Sequence, residues 1–124
     1  MKVVVPYWRQ RVSPVLDTAE NFLITDIRDS QIAKQSSINL SGRSLVEKID
    51  YLKDQNTTII LCGALSEYCN NMISTKGIKV FPWLCGNINN IIEAFINDGL
   101  NEPNLMMPGC RGRFQRRRRH RRGL

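Results

Sequence analysis

Thr57-Thr-Ile-Ile-Leu-Cys62 is a short, continuous, β-branched run with no apolar-polar alternation, the pattern of a strand covered on both faces rather than one. A chain built around such a strand must supply helices to two sides of a sheet. The flanking sequence does so. Ser44-Leu-Val-Glu47 forms a capping box that opens a helix running to about Gln55, with Leu45, Ile49 and Leu52 inward. After Gly63, apolar positions 65, 68, 69, 72 and 73 follow the helical period up to Gly77. Ile88, Ile91, Ile92, Phe95 and Ile96 mark a third helix, capped by Asn87 and stopped at Gly99. Lys2 to Pro6 and Ile78 to Phe81 read as further strands. Phe22 to Ile27 and Ser30 to Leu40 read as an antiparallel pair turning at Arg28-Asp29-Ser30. Ser13-Pro14 has the form of a helix start that would put Asp17 in a first turn. Strands alternating with helices predict an α/β fold with a mixed sheet.

Charge divides the chain sharply. The last fifteen residues, from Cys110, hold eight of the twelve arginines, whereas residues 1–103 carry ten basic and eleven acidic side chains, a balance of −1. The net charge of +7 therefore belongs to the end of the chain alone. Consecutive like charges have nothing to bury, so a domain over 1–103 and a disordered Arg-rich tail over 104–124 are expected. About 100 residues suffice for a single hydrophobic core. Met1 to Pro6 is too short for a signal-peptide core, and no apolar stretch approaches the roughly 18 residues of a membrane span. The chain reads as cytoplasmic, with no membrane partner. Cys62, Cys69, Cys85 and Cys110 contain no Cys-x-x-Cys spacing, and the one histidine, His120, lies inside the arginine run, so a closed zinc site is not expected.

Loops leaving the carboxyl ends of parallel strands converge on one rim of such a sheet, where ligands bind. Three loops qualify: 7–13, 63–66 and 82–86. They bring Arg9 and Arg11, Ser13, Trp8 and Trp83, the thiols of Cys62 and Cys85, and Gly63 and Gly86, whose backbone can approach an anion closely. That set suits a bulky, soft, negatively charged ligand. It contains no histidine to act as a base. Cys69 reads as a small core hydrophobe, Cys62 chiefly as one, and Ser13 and Ser66 as helix caps. Cys110 stands on a Pro108-Gly109 turn and reads either as a thiol whose thiolate the following arginines favour or as an incidental exposed thiol of the tail.

Val3-Val-Val-Pro-Tyr-Trp8, Arg11-Val-Ser-Pro-Val-Leu-Asp-Thr-Ala19, Ile60-Leu-Cys-Gly-Ala-Leu-Ser66, Gly77-Ile-Lys-Val-Phe-Pro-Trp83 and Met107-Pro-Gly-Cys-Arg-Gly112, in that order, resemble the dinitrogenase iron-molybdenum cofactor biosynthesis family. The resemblance runs over nearly the whole chain. It implies a ribonuclease-H-like three-layer fold, with a central mixed sheet of about five strands, one of them antiparallel, and helices on both faces. It also implies a non-catalytic carrier of iron-sulfur or molybdenum-sulfur clusters, linked to nitrogen fixation or to metallocofactor assembly more widely, with cluster donor or acceptor proteins as partners. On that reading Arg9, Arg11, Ser13, Trp83 and the backbone at Gly63 and Gly86 hold the cluster, and Cys62, Cys85 or Cys110 supplies a thiolate. Relatives that bind clusters through a core histidine differ here, since this chain has none before His120.

Two other classes compete. The arginine run, with Phe114 interleaved, could bind nucleic-acid phosphates unspecifically and with steep salt dependence. Two-metal hydrolysis would need several converging carboxylates, and the strands offer only Asp26. Neither Gly-x-x-x-x-Gly-Lys nor Gly-x-Gly-x-x-Gly occurs. The sequence thus predicts a binding protein and no enzyme.

Overall fold

The computed structural model describes residues 1–97. The Arg-rich segment, Cys110 and the helix stop expected at Gly99 lie outside the described residues. In chain order the elements are β1 (Lys2–Trp8), β2 (Arg11–Val12), β3 (Asn21–Arg28), β4 (Gln31–Asn39), α1 (Leu45–Asp54), β5 (Thr57–Leu61), α2 (Glu67–Thr75), β6 (Lys79–Phe81) and α3 (Ile88–Ile96). The main path of the sheet runs β4-β3-β1-β5-β6, and β2 adds a sixth strand paired to β1. β1, β5 and β6 are parallel, while β3 is antiparallel to both β1 and β4.

Alternation along the central strands divides the core in two. Val3, Val5, Ile59 and Leu61 face Ile88, Ile91 and Ile92 of α3, whereas Val4, Ile60 and Cys62 face Ile49 and Leu52 of α1 and Cys69 and Ile73 of α2. The run at 57–62 is covered on both sides, as its lack of alternation requires. The hairpin of β3 and β4 turns on Asp29 and Ser30, both left-handed at φ 53° and 62°.

All three helices carry the expected caps. Ser44 and Glu47 form the reciprocal capping box, Ser66 accepts from the Cys69 N–H, and Asn87 accepts from the Asn89 N–H. The second helix begins at Glu67, later than its apolar spacing suggested. Tyr68 therefore falls in its first turn and is exposed, while Cys69 and Ile73 reach the core.

Two expectations need correction. The segment after β1 is no open loop: Arg9 and Gln10 adopt left-handed conformations, φ 51° and 67°, and turn the chain back into β2. Ser13-Pro14 starts no helix. Val15 instead makes a parallel bridge to Ala64, with the Leu16 N–H donating to the Ala64 carbonyl and the Ala64 N–H to the Pro14 carbonyl, both at 2.8 Å. Backbone pairing with a neighbouring loop takes precedence there over the local cap signal.

Candidate functional site at the carboxyl rim of the sheet

The carboxyl ends of β1, β5 and β6 lie side by side, and the segments leaving them are joined by main-chain hydrogen bonds. The Val12 N–H donates to the Gly86 carbonyl, the Ile88 N–H to the Gln10 carbonyl, the Trp83 N–H to the Gly63 carbonyl and the Leu84 N–H to the Cys62 carbonyl, each at 2.9 Å. Arg11 also forms an antiparallel bridge with Asn87. One continuous rim thus brings together Arg9, Arg11, Ser13, Gly63, Trp83, Cys85 and Gly86. Irregular segments so fully paired hold their shape without a ligand.

The individual groups differ in what they offer. Arg9 lies over the exposed Trp8 ring, its guanidinium carbon 4.3 Å from the ring centroid. Arg11 is exposed, and Ser13 is buried with its N–H donated to the Pro6 carbonyl. Trp83 is half-buried at φ 68°, a rare conformation for a bulky side chain, held by its bond to Gly63. Gly63 serves the close approach of two segments of the chain: a Cβ there would sit 2.7 Å from the Ser13 carbonyl oxygen and 2.8 Å from that of Pro14.

The thiols separate by depth. Cys62, directly after β5, and Cys69, on the inner face of α2, are sealed in the core. Burial, with the nearby Cys69 and Asp17, pushes the Cys62 thiol far up, and burial with Asp17 pushes Cys69 up to about 12. Both remain neutral thiols at neutral pH. Cys85 is the half-buried free cysteine on the rim. Among the described residues no three His, Cys, Asp or Glu side chains converge to hold a metal ion, and no helix is long and apolar enough to cross a membrane.

One contact had no signal in the sequence. The Asp17 carboxylate accepts from the Ser66 backbone N–H at 2.9 Å and from the Ser66 hydroxyl. The start of α2 is thereby filled by the protein's own anion. Forty-nine residues separate the two partners, and the Val15–Ala64 bridge helps to bring them together. Lys48, buried on α1, donates to the Ala19 carbonyl at 2.7 Å and secures the far end of the same segment.

The described residues thus form an α/β domain with a mixed six-stranded sheet, flanked by three helices, whose carboxyl rim is built from loops. The fold is shared with several solved structures. PH0822 superposes with a TM-score of 0.77 at 20% identity, over 88% of this chain and 96% of that one. A protein of Methanocaldococcus jannaschii, provisionally described as a dinitrogenase, gives 0.68 at 21% identity over 80% and 90%. The apo form of the orange protein from Desulfovibrio gigas gives 0.65 at 17% identity over 87% and 92%. No family model matches the sequence, and no curated protein matches it.

Proposed function

We propose that this chain is a non-catalytic carrier for an iron-sulfur or molybdenum-sulfur cluster in metallocofactor assembly, with the cluster as cargo rather than resident cofactor. The carrying observation is the joined rim on a fold shared with a protein provisionally described as a dinitrogenase and with the orange protein. A ribonuclease-H-like assignment of that fold is supported by the order β4-β3-β1-β5-β6, in which β3 alone of these five runs opposite to β1. The finer site assignment is also a proposal: Arg9 and Arg11 supply cationic donors to a polyanionic cluster, Cys85 is the rim thiol, and Trp83 bounds the seat. With no cage of ligands among the described residues, charge and hydrogen bonds do most of the holding, as suits cargo that must leave again. Donor or acceptor proteins for the cluster are the implied partners. The division into a 1–103 domain and a 104–124 tail belongs to the same proposal.

The test is an Arg9→Ala, Arg11→Ala double variant, reconstituted anaerobically with iron, molybdate and sulfide and then desalted. Loss of two charge-assisted contacts, at about 1.5–3 kcal/mol each, should lower retained metal about tenfold or more. Metal content equal to that of the unaltered protein would remove the role assigned to the two arginines.

A further inference from the structure

Beside the rim, outside the set of residues assigned above except for Ser13, lies a cleft of about 190 Å³ lined by Tyr7, Trp8, Ser13–Val15 and Thr18–Asn21. Neither Cys85 nor either rim glycine lines it. Its outer wall, residues 13–20, is irregular but tied down at both ends. Val15 pairs with Ala64, Asp17 with Ser66, Ala19 with Lys48, and the Glu20 carbonyl with the Leu40 N–H. The cleft is therefore preformed.

Its chemistry is one-sided. Two aromatic rings and the apolar groups of Pro14, Val15 and Ala19 form the walls. The polar groups are the hydroxyls of Tyr7, Ser13 and Thr18, the Asn21 amide and the Glu20 carboxylate, all able to accept hydrogen bonds, with the Trp8 indole N–H as a donor, and no lysine or arginine lines the space. A planar, donor-rich cation fits such a surface, stacking on a ring while pairing with the carboxylate. The Trp8 ring at the edge of the cleft already carries one guanidinium, that of Arg9.

The sequence holds a concentrated supply of that group which the carrier role leaves unused. We propose that the cleft receives an arginine from the chain's own Arg111–Arg122 segment. Reach is no obstacle. α3 starts at the rim and its nine residues cover about 14 Å at 1.5 Å each. The fourteen further residues to Arg111 can extend about 46 Å at 3.3 Å each. A tether of that length holds the segment at an effective concentration on the order of millimolar, so a weak guanidinium site is occupied in cis before any free ligand competes. Docking then returns the excess positive charge of the chain end to the domain, beside the rim where an anionic cargo would sit.

The test uses full-length ¹⁵N-labelled protein at low salt, compared with two full-length variants. One has the eight arginines from Arg111 to Arg122 replaced by glutamine, and the other is Glu20→Gln. Amide shift differences at Tyr7, Trp8 and Thr18–Asn21, together with the Trp8 indole N–H, should appear between the unaltered protein and the arginine-free variant. Glu20→Gln should move the same signals toward the arginine-free positions, and dilution should leave them unchanged. Cleft signals that coincide in the unaltered and arginine-free proteins would overturn the proposal. Differences that fade on dilution would overturn it in favour of docking from a second copy.

Discussion

Replacing Gly63 with alanine tests the architecture of the rim more sharply than any charge change. A Cβ at this position would stand 2.7 Å from the Ser13 oxygen, 2.8 Å from the Pro14 oxygen and 3.2 Å from the Pro14 carbonyl carbon. All three are main-chain atoms, so no side chain can swing aside. The Pro14 carbonyl also accepts the Ala64 N–H at 2.8 Å, so relief of the clash stretches that bond. Overpacking costs typically about 1–3 kcal/mol, and a weakened hydrogen bond adds about 1 kcal/mol. A loss of about 3 kcal/mol is expected. With a urea m-value of about 1–3 kcal/mol/M for a small domain, the midpoint should fall by about 1–3 M. Gly77→Ala is the matched control: its φ is +78° and nothing lies within 4 Å of the added Cβ. That change carries only the left-handed penalty of about 1–2 kcal/mol. Equal midpoints for Gly63→Ala and the unaltered protein would show that residues 13–14 and 63–64 are not packed as described, and the account of the rim would fail.

Other outcomes follow from burial and capping. Iodoacetamide at pH 8 should modify Cys85 in the native protein while Cys62 and Cys69, sealed and held as neutral thiols, react only in denaturant; peptide mass analysis reads the difference. Ser44→Ala removes the capping box of α1 and should cost about 1 kcal/mol, seen as a lower thermal midpoint. Acid should destabilise the domain through two carboxylates. The Ser44 N–H holds Glu47 below its usual range, and for Asp26 the desolvation that pushes it up is outweighed by Arg28 and the N-terminal ammonium. Both folded values are depressed, so the stability they contribute is present above the usual carboxylate range and disappears as pH falls through and below it. A urea midpoint flat from pH 6 to pH 3 would contradict that sign.

Much of this architecture was legible because local chemistry and tertiary structure agree. The continuous run at 57–62, the Ser44–Glu47 box and the Asn87 cap each marked an element that the fold retains. The turn at Asp29-Ser30 was readable because such residues tolerate left-handed backbone. The turn at Arg9-Gln10 has the same geometry without the usual Asn or Gly, so nothing in the sequence announced β2. Ser13-Pro14 misled for the opposite reason, since a sound helix-start signal is overridden by pairing with Ala64.

At the rim, sequence order alone indicated that the loops after three strands would meet. Which thiol stands at the surface depends on strand parity and helix placement: Cys62 turns toward α1 and α2, while Cys85 stays on the rim. The cleft beside Trp8 was illegible, because its far wall exists only through the contacts of Asp17, Ala19 and Glu20 with distant elements.

The central claim is cluster carriage, and it is tested most directly by assaying metal and acid-labile sulfide in full-length protein purified without oxygen or an affinity tag, before and after anaerobic reconstitution. Stoichiometric metal with sulfide, surviving desalting and giving charge-transfer absorption in the visible, is the predicted result. Protein that stays colourless and metal-free after reconstitution would contradict the carrier function.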